Sequence, residues 1–240
     1  MSHTESDLWN PVGRILSEKG IDAQAVLPLL GAYIDLLVEW NQRTNLTAHR
    51  TPEDIVIHHF VDSLMLLGVM DLPQGMSMVD VGSGAGFPGL PIRIARPDIR
   101  LTIIESKRKA VDFLSEATSI LKMGDVRIIT ERAEKAGRED SLRESFDCAV
   151  ARALAKVPVA CEYLFPLVKT GGKVYLWAGP SFEEDSITTA IEMLGGKYVA
   201  KHPYSLPEGG SKRWIVEIAK TRPTPPNFPR RTGVAKKRPL

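Results

Sequence analysis

The chain has 240 residues, of which 43% are hydrophobic, 25% charged and 7% aromatic, the balance of a globular protein long enough to bury a full core as one domain with an added N-terminal piece. No apolar run approaches the length of a membrane-spanning helix, and the opening MSHTESDLWN lacks the basic-then-apolar pattern of a secretory leader, so the expectation is a cytoplasmic protein with no membrane partner. The net charge of +2 hides an asymmetry: residues 220–240 carry seven basic side chains and no acid, while the remainder has 24 basic and 29 acidic side chains. A basic ending on a mildly acidic body suggests a polyanionic partner. Cys148 and Cys161 are the only cysteines. They form neither a metal-ligand spacing nor a disulfide framework, read as small buried hydrophobes, and leave no metal expected.

In chain order, Ala25, Leu29, Leu30, Ile34, Leu37 and Val38 recur near helical spacing and predict a helix over 22–42. Ile55, Val56, Phe60, Leu64 and Leu67 predict a second over 52–70, with Pro52 near its start. Two or three helices therefore precede residue 77. Short apolar runs then alternate with helical patterns. The strands are Met78–Val81, Leu101–Glu105, Val126–Thr130, Phe146–Ala151 and Lys173–Trp177, and the helices lie near 89–95, 107–122, 153–168 and 183–195. That alternation argues for an α/β fold with a parallel sheet covered on both faces. Lys197–Pro203 and Trp214–Ala219, joined by PEGGSKR, read as an antiparallel hairpin. Five β/α units closed by an antiparallel pair resemble the Rossmann-like, mostly parallel seven-stranded sheet of class I methyltransferases. The expected divisions are a helical cap over 1–72, a core over 73–220 and a basic, Pro-rich tail over 221–240. That tail, TRPTPPNFPRRTGVAKKRPL, is expected to lie extended on the surface or on a partner.

The first strand runs directly into MVDVGSGAGFPGLP. Glycines allow positive φ and close approach of a ligand to the main chain. The following helix offers free N–H groups. Two adenosine cofactors fit the spacing. From Gly84 the sequence reads G-A-G-F-P-G, a formal dinucleotide fingerprint. From Gly82 it reads D-V-G-S-G-A-G, with Asp80 two residues ahead, which resembles the first motif of S-adenosylmethionine-dependent methyltransferases. A pyrophosphate wants N–H groups and no anion beside it; a ligand carrying an ammonium and a sulfonium suits a carboxylate at Asp80. Glu105, ending the second strand, is placed to accept ribose hydroxyls in either cofactor.

The wider stretches resemble the ribosomal RNA small-subunit methyltransferase G family, also called the glucose-inhibited division protein B family. They are WNQRTNLTAHRTPEDIVIHHFVDSL, VDVGSGAGFPGLPIRIARPD followed by LTIIESKRKAVDFL, FDCAVARALAKV and PPNFPRRTGVAKKRPL. The resemblance implies S-adenosylmethionine-dependent methylation of guanine N7 in the 530 loop of 16S rRNA, at guanosine 527 in RNA numbering. It implies cofactor contacts at Gly82 and Phe87, Ala133 and Glu134 along the adenine, and Arg152 near cofactor and target base. Guanine N7 offers a free lone pair, so the reaction needs no general base; Arg152, always protonated, is assigned positioning rather than acid–base work.

His59, Asp62 and Ser63 fall on the family's N-terminal signature and read as a structural hydrogen-bond group. The sequence departs from the family pattern at Ala178, where Lys is common, and Trp177 beside it reads chiefly as core. Arg230, Arg231, Lys236, Lys237 and Arg238 are expected to contact RNA phosphates. The expected partner is 16S rRNA, in the small subunit or an assembly intermediate, and the expected state a monomer. The alternatives are a methyltransferase of another substrate, a NAD-dependent oxidoreductase and a non-catalytic RNA-binding assembly factor.

Overall fold

The computed structural model describes residues 3–70, 72–207 and 212–240, with side chains from residue 7 onward. Two helices open the chain: α1 (His3–Glu18) and α2 (Ala23–Thr44). The Asp22 carboxylate accepts from the Gln24 N–H at 2.9 Å and so caps α2, which ends at Asn45 with φ 51°, the left-handed stop that Asn tolerates. By length and composition α2 is long and apolar enough to cross a membrane, which corrects the expectation that no such run exists. Here Val26, Leu30, Tyr33, Ile34 and Leu37 are buried in the core.

The run 52–69 is a broken helix rather than the single one expected. Thr51 caps Pro52–Ile55, its hydroxyl accepting from Asp54 N–H at 3.1 Å; a π-helical turn follows over Val56–Val61, then short α segments Asp62–Leu64 and Leu66–Val69. The wider π turn carries His58 and His59 and widens the local ladder by one residue, which apolar periodicity does not register.

The strands are β1 (Ser77–Val81), β2 (Arg100–Glu105), β3 (Arg127–Thr130), β4 (Phe146–Arg152), β5 (Val168–Ala178), β6 (Gly196–Tyr204) and β7 (Arg213–Lys220). They form one sheet in the order β3-β2-β1-β4-β5-β7-β6. β1 to β5 are parallel and β7 runs antiparallel between β5 and β6. The chain reverses direction across the sheet at β1, which pairs β2 on one side and β4 on the other. The crevice at the carboxyl ends of strands flanking such a switch point is where ligands bind in open α/β sheets.

Two apolar clusters cover the two faces. One joins α1, α2 and the 52–69 run to the helices Gly89–Ala95 and Arg108–Ile120. The other joins Val157–Leu164 and Asp185–Met193 to the sheet. The N-terminal helices therefore share the core of the sheet: Tyr33 of α2 stacks on Phe87 at 5.6 Å and donates its hydroxyl to the Ala85 carbonyl. Cys148 and Cys161 are free and buried, and burial pushes both thiols well up.

The last twenty residues are not an extended solvated tail. Phe228 and Ala235 are buried in the second cluster, and Val234–Lys237 forms a helical turn. Arg143 donates to the carbonyls of Thr224 (2.8 Å), Pro225 (3.2 Å) and Phe228 (2.9 Å). Lys220, whose side chain is fully buried, donates to Glu144 and to the Phe165 carbonyl, each at 2.7 Å. Pro and charge made the segment read as solvated; the half-buried Arg143 and Glu144 satisfy its backbone and fold it down.

Candidate active site

The carboxyl ends of β1, β2 and β4 meet at the switch point. Beyond Val81 the chain turns sharply: Gly82 has φ 69°, and its N–H donates to the Ile104 carbonyl at 2.8 Å. A Cβ at Gly82 would collide with Leu154 Cδ1, the end of a side chain that can turn aside, so it is the positive φ that favours glycine there. Glu105 at the end of β2 is buried. Its Oε2 accepts from Gly84 N–H (2.9 Å) and its Oε1 from Lys107 N–H (2.8 Å). Beside it opens a cavity of about 390 Å³ lined by Gly82, Glu105, Ala133, Glu134, Leu154 and Tyr163, together with Thr232, Gly233 and Lys236 from the end of the chain. Burial, and then the neighbouring Glu134 charge, push the Tyr163 hydroxyl up to about 12.

Asp80 does not line this cavity, which corrects the expectation that its carboxylate faces a ligand's charge. It is fully buried; its Oδ2 accepts from Ser83 Oγ at 2.7 Å and from Gly89 N–H at 2.8 Å, and its Oδ1 has no hydrogen-bond partner among the described residues. Burial pushes its carboxyl up to about 6 against the pull of those two hydrogen bonds. Asp80 therefore ties the glycine turn to the start of the next helix. Phe87 likewise lies outside the cavity lining, stacked on His59 at 4.4 Å with the Arg152 guanidinium 5.2 Å from its ring centre. Gly84 contributes through its N–H to Glu105.

Arg152, the last residue of β4, anchors a second constellation. Its Nη1 donates to Asp62 Oδ2 (2.6 Å) and to the His58 carbonyl (2.7 Å), and its Nη2 to His59 Nδ1 (2.6 Å). Burial and the Arg152 charge push His59 down to about 2, so its ring is neutral. With Nδ1 accepting from Arg152, the proton sits on Nε2, which donates to His49 Nδ1 at 3.2 Å. Asp62, fully buried, also accepts from the Tyr204 hydroxyl (2.6 Å) and from Arg213 Nη1 (3.2 Å). A second cavity of about 360 Å³ opens here, lined by Asp62, Arg152, Trp177, Ala178, Tyr204 and Arg213 among others. Ala153 lines both cavities. Trp177, expected chiefly as core, is half-buried on this wall and donates its indole N–H to the Asp62 carbonyl at 2.8 Å.

Among the five basic residues expected on RNA, Arg230 is a correction. Its guanidinium forms a double contact with the fully buried Glu162 (Nη2–Oε2 2.5 Å, Nε–Oε1 2.9 Å), and its N–H also donates to Glu162. A buried acid so placed claims the charge for the core. Arg231, Lys236, Lys237 and Arg238 are exposed. Among the described residues no group of three or more metal-ligating side chains occurs.

A family model described as GidB, rRNA small subunit methyltransferase G, matches residues 27–206. The chain belongs to the GidB family. It is 40% identical to the Ribosomal RNA small subunit methyltransferase G of Alkaliphilus metalliredigens over 92% of either chain. It is likewise 40% identical to that of Deinococcus radiodurans, over 98% of this chain and 95% of the relative. Among solved structures, TrmN from Thermus thermophilus superposes with a TM-score of 0.53 at 17% identity, over 67% of this chain and 48% of that one, a likeness of fold alone. The strand order β3-β2-β1-β4-β5-β7-β6 is that of the class I S-adenosylmethionine-dependent methyltransferase fold.

Sequence reasoning about this GidB-family chain missed Tyr204 and Arg213 as partners of Asp62, Leu154 as the residue over Gly82, and Glu162 as the partner of Arg230. Only Glu162 carried a signal: an acid amid the apolar run VPVACEYL is rarely buried without a cation.

Proposed function

We propose that this protein transfers a methyl group from S-adenosylmethionine to N7 of a guanine in the 530 loop of small-subunit rRNA, guanosine 527 in RNA numbering. The observation that carries this reading is the juxtaposition of two cavities across Ala153 in a chain of this family: one ends on Glu105 and the glycine turn, the other on Arg152 and Trp177.

The first cavity suits the cofactor. Glu105 is a buried acceptor at the end of β2, where ribose hydroxyls fall in folds of this topology. Gly82 adds no side chain of its own to the cavity wall, and only the Leu154 side chain stands over it. Ala133 and Glu134 flank the base side. S-adenosylmethionine, when bound, supplies an electrophilic methyl on a positively charged sulfur.

The second cavity suits an unstacked base. Trp177 and Tyr204 give it aromatic wall, and Arg152 and Arg213 give it donors for guanine O6, an acceptor. N7 carries a lone pair, so the protein has no proton to remove; its work is alignment. Arg152 is held from four sides by Asp62, His59, the His58 carbonyl and the Phe87 ring, and serves as a rigid positioning residue. Asp62 offsets the charge of both arginines, so positive charge gained by the guanine meets less opposition. The exposed Arg231, Lys237 and Arg238 add phosphate contacts that hold the RNA without reading its sequence.

The test is isothermal titration with S-adenosylmethionine and, separately, NAD, followed by mapping of methylated positions in 16S rRNA. Binding of S-adenosylmethionine that is lost in Glu105→Ala is expected; tight NAD binding without it overturns the reading.

A further inference from the structure

Part of the wall of the first cavity comes from the end of the chain. Thr232, Gly233 and Lys236 line it together with Gly82, Glu105 and Glu134. The contact is specific: the Gly233 N–H donates to Glu134 Oε1 at 3.0 Å, from a backbone with φ 83°. Glu134 is buried, so the segment fixes the orientation of its carboxylate.

The segment is itself fixed. Arg143 holds the carbonyls of Thr224, Pro225 and Phe228, and Glu144 accepts from Thr224 N–H at 2.7 Å. Arg230 is locked onto buried Glu162 just ahead of Thr232, and Ala235 is buried just behind Gly233. An ordered anchor on each side of Thr232 and Gly233 makes a strap, and the strand order says what it faces. β3 lies beyond β2, on the side away from β1. A ligand with its ribose at Glu105 and its other end at the glycine turn after β1 must carry its base toward β3. Glu131 to Glu134, which follow β3, and the strap stand in that part of the cavity.

We propose that Thr232–Lys236 is a cofactor-binding element that walls the base side of the methyl-donor site, with Gly233 acting as a positioning residue through Glu134. This rests on the reading of the first cavity as the S-adenosylmethionine site. It gives the C-terminal segment a role in donor binding that is separate from any contact with RNA.

The experiment is isothermal titration of the full-length protein with S-adenosylmethionine and with adenosine, no RNA present, for the wild type, Gly233→Pro and Lys236→Ala. Proline removes the N–H and cannot adopt the positive φ. Lys236 is exposed, so its replacement leaves the core untouched. The expected result is an affinity loss of about tenfold in Gly233→Pro and about threefold in Lys236→Ala, equal for both ligands, with the ligand-free melting transition retained. Equal loss for adenosine, which lacks the methionine end, marks a defect on the base side. Wild-type affinity in Gly233→Pro overturns the inference. So does a loss in Gly233→Pro that comes with a collapsed ligand-free transition while Lys236→Ala binds normally. A wild-type protein that binds no S-adenosylmethionine overturns the methyltransferase reading itself, and the strap's role with it.

Discussion

Arg152 and Asp62 stand ninety positions apart in the chain and meet at 2.6 Å. The pair joins the end of β4 to the helical run 52–69, and so locks the N-terminal helices to the switch point of the sheet. Asp62 is fully buried and also receives Arg213 and Tyr204. Removing one partner of a buried ion pair leaves uncompensated charge, at a cost of about 3–5 kcal/mol. Asp62→Ala is therefore expected to lower unfolding stability by that amount in urea titrations. It should also slow single-turnover methyl transfer by about a hundredfold, as Arg152 loses its orientation. A stability loss below about 1 kcal/mol would mean that the arginines are solvated and the pair is incidental.

Asp80, fully buried, and His59, half-buried, titrate in opposite senses. Asp80 has its carboxyl raised from 3.8 to about 6 by burial. The folded protein thus holds a proton that the unfolded chain gives up, and the associated stability is present at low pH and lost as pH rises through about 6. His59 is lowered from 6.5 to about 2 by burial and Arg152. The unfolded chain takes up a proton that the folded one refuses, so its contribution is present above 6.5 and lost as pH falls. Between about pH 4 and 6 the two slopes oppose each other, each up to about 1.4 kcal/mol per pH unit. The expected outcome is that Asp80→Asn makes stability climb more steeply with pH across that window, while His59→Gln makes it fall relative to wild type. Parallel curves for the variants and the wild type would refute the assignment.

Much of this was legible in the sequence because it is local. Glycines follow an apolar strand, Glu105 ends the next one, and the helix predicted near 89–95 is Gly89–Ala95 in the structure. The expected hairpin strands, Lys197–Pro203 and Trp214–Ala219, each fall one residue inside the observed Gly196–Tyr204 and Arg213–Lys220 at both ends. What was not legible depends on partners distant in the chain. Nothing near Arg230 marks Glu162, sixty-eight positions away, as its acceptor. Spacing placed Asp80 near a ligand but not the direction of its side chain, which the Ser83 and Gly89 contacts decide. The π turn at Val56–Val61 inserts a residue without disturbing the apolar stripe, so 52–70 read as one helix.

Gly82 couples backbone strain to the first cavity, which we propose holds the methyl donor. Alanine there must hold φ near 69° and push Leu154 aside. The left-handed conformation costs a non-glycine residue about 1–2 kcal/mol, and the Leu154 side chain is the flexible part that yields. Because Leu154 lines the same cavity, its displacement alters the space left for the donor. Gly82→Ala is expected to lose about 1–2 kcal/mol of stability and to weaken S-adenosylmethionine binding by about tenfold or more in titration calorimetry. Undiminished binding with the same stability loss would place the ligand elsewhere.

The basic residues of the last segment divide into two groups with opposite expected phenotypes. Arg230 faces Glu162, whose side chain is fully buried, and Arg231, Lys237 and Arg238 face solvent. Arg230→Gln leaves Glu162 uncompensated and is expected to cost about 3 kcal/mol in denaturant unfolding. The triple variant Arg231→Gln, Lys237→Gln, Arg238→Gln touches no buried partner and is expected to keep wild-type stability within about 0.5 kcal/mol. Its affinity for a fragment of 16S rRNA should fall. The slope of log affinity against log salt should flatten by about 0.7–0.9 for each phosphate contact removed, since each contact releases condensed counterions. Filter binding at several salt concentrations, run beside urea unfolding, separates the two groups. An unchanged salt slope in the triple variant would move the RNA-facing surface away from this segment.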